Sequence, residues 1–178
     1  MQCGDAPIFM AGDANAARPL LHEAGSEGAI AGANAASWPD LAQAARMVPM
    51  AITFTRPSAA TVGEVILPGR ADTVTGSADY SDQGRAKTEA RAAGLVRLYA
   101  DRQDGRIRGA SLAAPEGEHL AHLLAWAISE GMTASRMLDL PFYHPTVEEG
   151  LKSALREICQ ATSSPITWSR DDGAPAGE

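Results

Sequence analysis

His144 and Glu149, five residues apart, are the pair in this sequence best suited to chemistry. Histidine titrates near neutral pH, so it can take or give a proton under ordinary conditions. A carboxylate bonded to one ring nitrogen fixes the tautomer and stabilises the imidazolium, which suits a general acid–base. The setting is Phe142-Tyr143-His144-Pro145-Thr146-Val147-Glu148-Glu149. Pro145 lacks a backbone donor and biases His144 towards an extended conformation. Thr146 fits an N-cap, and Glu149 three residues on completes a capping box. The same residues therefore also make an ordinary capped helix start. Val147, Leu151, Ala154, Leu155 and Ile158 recur at helical spacing, predicting an amphipathic helix over 147–160 that must hold the pair.

Other reactive side chains are sparse. Cys3 and Cys159 are the only cysteines and form neither a metal motif nor a short redox motif. They read as unrelated thiols of a cytoplasmic protein. His119 and His122 lie three apart on one predicted helix. Their order, Glu-His-x-x-His, is not the zinc-protease order and no cysteine is near, so no metal site is expected. A small hydrolase using His144, Glu149 and a Ser or Thr has no nucleophile motif behind it. At the other end, Ala6 to Asp13 is an apolar run closing on Gly12-Asp13, predicted as a buried strand with an aspartate at its C-terminal end. In open α/β sheets that end faces ligands. Pro19 suits a first helical turn, and the free N–H groups of a helix starting there could receive an anionic or electron-rich atom.

The elements between are legible in outline. Leu20, Ala24, Gly28 and Ala31 form one small-residue face of a helix reaching Asn34, and a short helix is predicted over 37–46. Strands are predicted near 50–55, 72–80, 94–100 and 106–113. The last two are joined by the Asp101–Gly105 turn cluster as a hairpin. Glu116 to Met132 is a helix with Leu120, Leu123, Leu124, Ala127 and Ile128 as its apolar stripe. The fold class is α+β: an antiparallel sheet flanked by helices 116–131 and 147–160. Residues 161–178 are rich in Ser, Pro and Gly and read as a disordered tail, with Ile166 and Trp168 able to dock.

Composition narrows the classes. The 178 residues suffice for one good core plus an appendage. A net charge of −7 and a pI near 5.1 argue against nucleic acid or an anionic membrane as partner. No apolar run spans a bilayer, and no secretory signal opens the chain.

His144, Pro145, Thr146 and Glu149 match, position for position, the His-Pro-Thr-x-x-Glu signature of the pyridine nucleotide-disulfide oxidoreductases, which the chain resembles. Ile8 to Asp13 looks like the second flavin motif of that family, in which the aspartate binds the ribityl chain. Pro19, Leu20, Leu21 and His22 fall where dihydrolipoamide dehydrogenases carry Met-Leu-Ala-His, and Glu27-Gly28 also fits that subfamily. Pro19 and Leu21 depart from its commonest residues. Phe54-Thr55-Arg56-Pro57 with Val62-Gly63 resembles the start of the family's interface domain.

The resemblance implies that His144 and Glu149 are the acid–base pair acting on the dithiol of the other subunit. It implies that Gly12, Asp13, Pro19, Leu20, Leu21 and His22 contact FAD, with NAD as co-substrate. It also implies residues 1–46 as the last strand, helix and linker of a flavin domain, 47–160 as the interface domain, a homodimer, and a 2-oxo acid dehydrogenase complex as partner. The chain has no Gly-x-Gly dinucleotide fingerprint and no redox cysteine pair, both of which the family needs. It therefore corresponds to about the last third of such an enzyme, inactive alone. His144 speaks against mercuric reductases, which replace this histidine. A glutathione-reductase-like enzyme and a non-catalytic dimerisation module stay open.

Overall fold

The computed structural model describes residues 1–65 and 70–166. The chain divides into two compact units, Met1–Met47 and Val48–Glu178.

The second unit is built on a five-stranded antiparallel sheet. Its strands are β1 (Met50–Thr53), β2 (Ser58–Gly63), β3 (Thr73–Asp79), β4 (Leu95–Asp101) and β5 (Ile107–Ala114), in the order β1-β2-β5-β4-β3. Register decides which side chains share a face. Ala60 pairs with Leu112 and Val62 with Ala110 across β2 and β5. Val96 pairs with Leu112 and Leu98 with Ala110 across β4 and β5. Gly76 pairs with Leu98 and Ala78 with Val96 across β3 and β4. Alternate residues of a strand point to one side, so these apolar side chains form one continuous buried layer. The expected β4–β5 hairpin is present, and a register shift at Tyr99/Ala100 bulges it beside its turn.

Two helices cover that layer. The first, over Gly117–Ser129, buries Leu120, Ala121, Leu124, Ala125 and Ala127. The second, over Leu151–Thr162, buries Leu151, Ala154, Leu155, Ile158 and Cys159. The latter lies directly on β3 at Gly76, where a Cβ would stand 2.0 Å from the Ala154 carbonyl oxygen. The glycine that looks like a strand-breaker is what lets the helix seat on the sheet. Short helices at Gly84–Thr88 and Ala134–Leu138 complete the unit.

Some expectations are corrected. β2 was not expected: Ser58-Ala59-Ala60-Thr61 is small and weakly patterned, and only Ala60 and Val62 are buried along it. The first unit departs further. Residues 6–13 are not a buried strand but form a single bridge between Gln2 and Phe9, with Ile8 and Met10 exposed. A lone strand has nothing to bury its apolar side against, and no other strand lies in this unit among the described residues. Gly12–Asn15 is instead a 3-10 turn, followed by a helix over Leu21–Ala36, here α1.

Of the expected Leu20, Ala24, Gly28 and Ala31 face, only Ala31 is buried; the other buried residues of α1 are Glu23 and Glu27. Residues 37–46 form no helix beyond the turn after α1. They return along α1, held by Ala42 N–H on Asn34 Oδ1 at 2.9 Å and by Arg46 on Glu27 at 2.5 Å. Those side-chain bonds override a weak helix propensity. Of the tail expected over 161–178, residues 161–166 are described, and the first two are not disordered: Ala161 and Thr162 close the last helix. Ser163 adopts the left-handed conformation that ends it, and Pro165 accepts a hydrogen bond from Ser135 Oγ at 2.5 Å. Trp168 lies outside the described residues. No helix among the described residues is long and apolar enough to cross a membrane.

Candidate active site

His144 and Glu149 meet. His144 Nδ1 lies 3.0 Å and 2.9 Å from the two carboxylate oxygens of Glu149. The imidazole side chain is 79% exposed while the carboxylate is 18% exposed. An ionised carboxylate only accepts, so Nδ1 carries the proton of this hydrogen bond. Glu149 also accepts the Thr146 N–H at 3.3 Å, the backbone half of a capping box. Thr146 does not supply the other half. Its hydroxyl donates back to the Tyr143 carbonyl at 2.7 Å, and a 3-10 turn over Glu148–Gly150 intervenes before the helix. One carboxylate thus holds both the loop backbone and the imidazole, so capping and pairing are not alternatives here.

The loop is fixed from beneath by residues that sequence reading did not single out. Tyr80, fully buried, donates its hydroxyl to the Val147 carbonyl at 3.1 Å. Its ring also occupies the space a Cβ at Gly150 would need, 2.7 Å away. Burial first, and then the charge of Glu148, push the Tyr80 phenol above its ordinary range. Gln83 donates Nε2–H to the Thr146 carbonyl at 2.6 Å while its Oε1 accepts Ala86 N–H at 2.8 Å. Both residues follow β3, more than sixty positions from the loop they hold. The only local signal was a tyrosine and a glutamine closing a strand in a turn. Beside His144, Leu123, Trp126, Met132, Phe142 and Tyr143 line an apolar trough of about 470 Å³. Trp126 and Tyr143 are 68% and 82% exposed.

The residues expected to face a flavin lie in the first unit. Gly12 is buried with φ +66°, Asp13 is exposed, and its carboxylate carries no hydrogen bond among the described residues. No side chain caps α1, so its first N–H groups at Leu21 and His22 stay open. Pro19, Leu21 and His22 are exposed and Leu20 is half-buried. Asp13 thus offers an open acceptor, and the α1 start open donors. The histidines at 119 and 122 do not converge. His119 sits with Glu116 and Glu118, whereas His122 Nδ1 meets the Glu118 carbonyl at 2.8 Å. Glu116 is already ion-paired with Arg91 at 2.7 Å. The two cysteines are free. Cys159 is buried, which first of all, with Asp139 adding to it, pushes its thiol up and makes it a poor nucleophile.

Residues 49–155 match the family model of the pyridine nucleotide-disulphide oxidoreductase dimerisation domain. A dihydrolipoyl dehydrogenase of Haloferax volcanii is 34% identical over 151 residues, which is 83% of this chain and 31% of that protein. One from Bacillus subtilis is 32% identical over 158 residues, 87% of this chain and 34% of that protein. The chain thus spans about a third of the length of the curated relatives it matches. In fold it is similar to the HOCl-induced flavoprotein disulfide reductase RclA from Escherichia coli, with a TM-score of 0.70 at 19% identity over 82% of this chain and 34% of that one. It is likewise similar to LpdA from Mycobacterium tuberculosis, with a TM-score of 0.68 at 24% identity over 82% and 32% of the two chains. The α+β reading and the family resemblance agree with these matches, and the chain belongs to the pyridine nucleotide-disulphide oxidoreductases, with their dimerisation domain over residues 49–155.

Proposed function

We propose that the chain is the C-terminal part of a flavin-dependent dihydrolipoyl dehydrogenase and supplies its acid–base pair and dimer surface. The observation that carries this reading is the hydrogen bond of a buried-side carboxylate to one nitrogen of an exposed imidazole. His144 Nε2 takes a proton from a substrate thiol, because the thiolate is the attacking species in thiol–disulfide exchange. Glu149 keeps Nδ1 protonated and balances the charge that His144 gains. Tyr80 and Gln83 keep the loop from moving away from this geometry. Gly12, Asp13 and the α1 start at Pro19, Leu20, Leu21 and His22 would hold part of the FAD, which when bound supplies a two-electron acceptor with NAD as the final one. The lack of any Gly-x-Gly leaves the phosphates to residues outside this chain, so the chain alone is inactive.

The reading includes a homodimer, since family members pair through this domain and a closed two-fold is the commonest assembly. It also places the enzyme in the cytoplasm, serving a 2-oxo acid dehydrogenase complex. The test is NAD reduction driven by dihydrolipoamide in the full-length flavoprotein that carries this chain. Steady turnover is expected. Reduction of glutathione disulfide in its place would move the assignment to a glutathione-reductase-like enzyme, and no turnover with either would leave a dimerisation module.

A further inference from the structure

We infer that Glu27 is a positioning residue for the flavin-facing turn, an inference that rests on the flavin reading above. Glu27 is 1% exposed in the middle of α1. A carboxylate that deep is unfavourable unless its oxygens are bonded, so its partners indicate its task. Oε2 accepts the Gly12 N–H at 2.8 Å and an Asn15 Nδ2–H at 2.5 Å. These two residues are the first and last of the 3-10 turn that carries Asp13. Oε1 accepts from Arg46 at 2.5 Å, which ties the returning segment to the same point. Asn15 Oδ1 then accepts the Ala17 N–H at 2.8 Å and stiffens the exit from the turn.

The Asp13 carboxylate has no hydrogen bond among the described residues; its backbone carbonyl accepts the Ala16 N–H at 3.1 Å, and what grips Gly12 and Asn15 on either side sets its place. The turn also packs tightly onto the helix: a Cβ at Gly12 would lie 3.0 Å from Ala24 Cβ. Burial pushes the Glu27 carboxyl up, but the Gly12 N–H, Asn15 and Arg46 together outweigh it and hold the group below its ordinary value. It is therefore ionised at neutral pH. Bonding both ends of the turn to one charged group is what a preorganised ligand contact requires.

The experiment is a titration of FAD into the isotope-labelled full chain, following the amides of Gly12, Asp13 and Asn15 by NMR. Wild type is compared with Glu27→Ala and Glu27→Gln, and amides of the second unit serve as the folding reference. Gln retains an acceptor of the same reach; Ala does not. Weak, fast-exchanging shifts at Gly12 and Asp13 are expected in wild type. In Glu27→Ala the Gly12 amide should lose its exchange protection and apparent FAD affinity should fall about tenfold, the effect of one lost ordering contact. Glu27→Gln should restore most of both. If Glu27→Ala disrupts α1, Asn15→Ala replaces it, with a smaller loss of affinity expected. FAD that moves none of these amides in wild type would sink the flavin reading and this inference with it. FAD that binds wild type and the Ala variants equally, at the same amides, would leave the flavin reading intact and overturn the role of Glu27.

Discussion

Replacing Gly76 by alanine tests how the sheet seats the helix that carries the acid–base loop. The added Cβ would stand 2.0 Å from the Ala154 carbonyl oxygen, 2.8 Å from its carbon and 3.0 Å from Ile158 Cγ1. Ordinary contact begins near 3.4 Å, so the Leu151–Thr162 helix must lift from β3 by more than an ångström. Two of the three atoms are backbone and cannot rotate aside, which puts the overpacking at the upper end of its usual range, about 3 kcal/mol. The φ of Gly76 is not in the left-handed region, so alanine itself is tolerated there and restricts the unfolded chain. That returns about 0.5–1 kcal/mol. The net loss is about 2 kcal/mol, or roughly 6–10 °C in Tm for a unit of this size. Urea unfolding followed by circular dichroism should show a lower midpoint with an unchanged slope. Gly28→Ala is the counterpart: nothing lies within 4 Å of its added Cβ in α1, and it should stabilise the first unit by about 0.5–1 kcal/mol. A Gly76→Ala chain that melts with wild type would refute the account of the helix–sheet contact.

Tyr80→Phe removes the hydroxyl that holds the Val147 carbonyl and should cost about 1–2 kcal/mol. Because burial raises the folded-state phenol pKa, Tyr80 contributes stability that is complete below about pH 10 and is lost as pH rises beyond it. Wild type should therefore weaken above that pH more steeply than Tyr80→Phe; parallel alkaline limbs would exclude this role. The isolated chain should emerge from gel filtration without retained flavin, since only one edge of a site is present; a yellow chain with flavin near one per subunit would contradict that. The same chain should self-associate, since Trp126 and Tyr143 leave a large apolar trough open to solvent. Sedimentation showing only monomer at high concentration would remove that support for a dimer surface.

The site was legible where its parts are close in sequence. The spacing of His144, Pro145, Thr146 and Glu149 is local, and the helix after it follows from Val147, Leu151, Ala154, Leu155 and Ile158, all of which are buried. Tyr80 and Gln83 were not legible, because their task exists only once β3 ends beneath the loop. β4 announced itself through Leu95, Val96, Leu98 and Tyr99, and β5 through the Asp104-Gly105 turn that joins it to β4. β2 did not, because small residues paired on both sides by neighbouring strands carry little pattern of their own. α1 misled for a physical reason. Hydrophobic periodicity assigns the buried face to Ala and Gly, whereas this helix buries two glutamates four apart, each matched to an arginine. The same pairing draws residues 42–47 back along α1, so the helix predicted for 37–46 has no place to form.

The central claim is that Glu149 holds His144 as a proton carrier and not only as a turn residue. It is tested most directly by turnover of the full-length enzyme with dihydrolipoamide, normalised to bound flavin. His144→Gln should keep flavin content and assembly while lowering turnover by about 10²–10⁴-fold, the usual contribution of one positioned proton-transfer group. Glu149→Gln should lower it less, since it removes an orienting charge and leaves the carrier. Turnover per flavin unchanged in His144→Gln would contradict the account, whatever the variant does to stability.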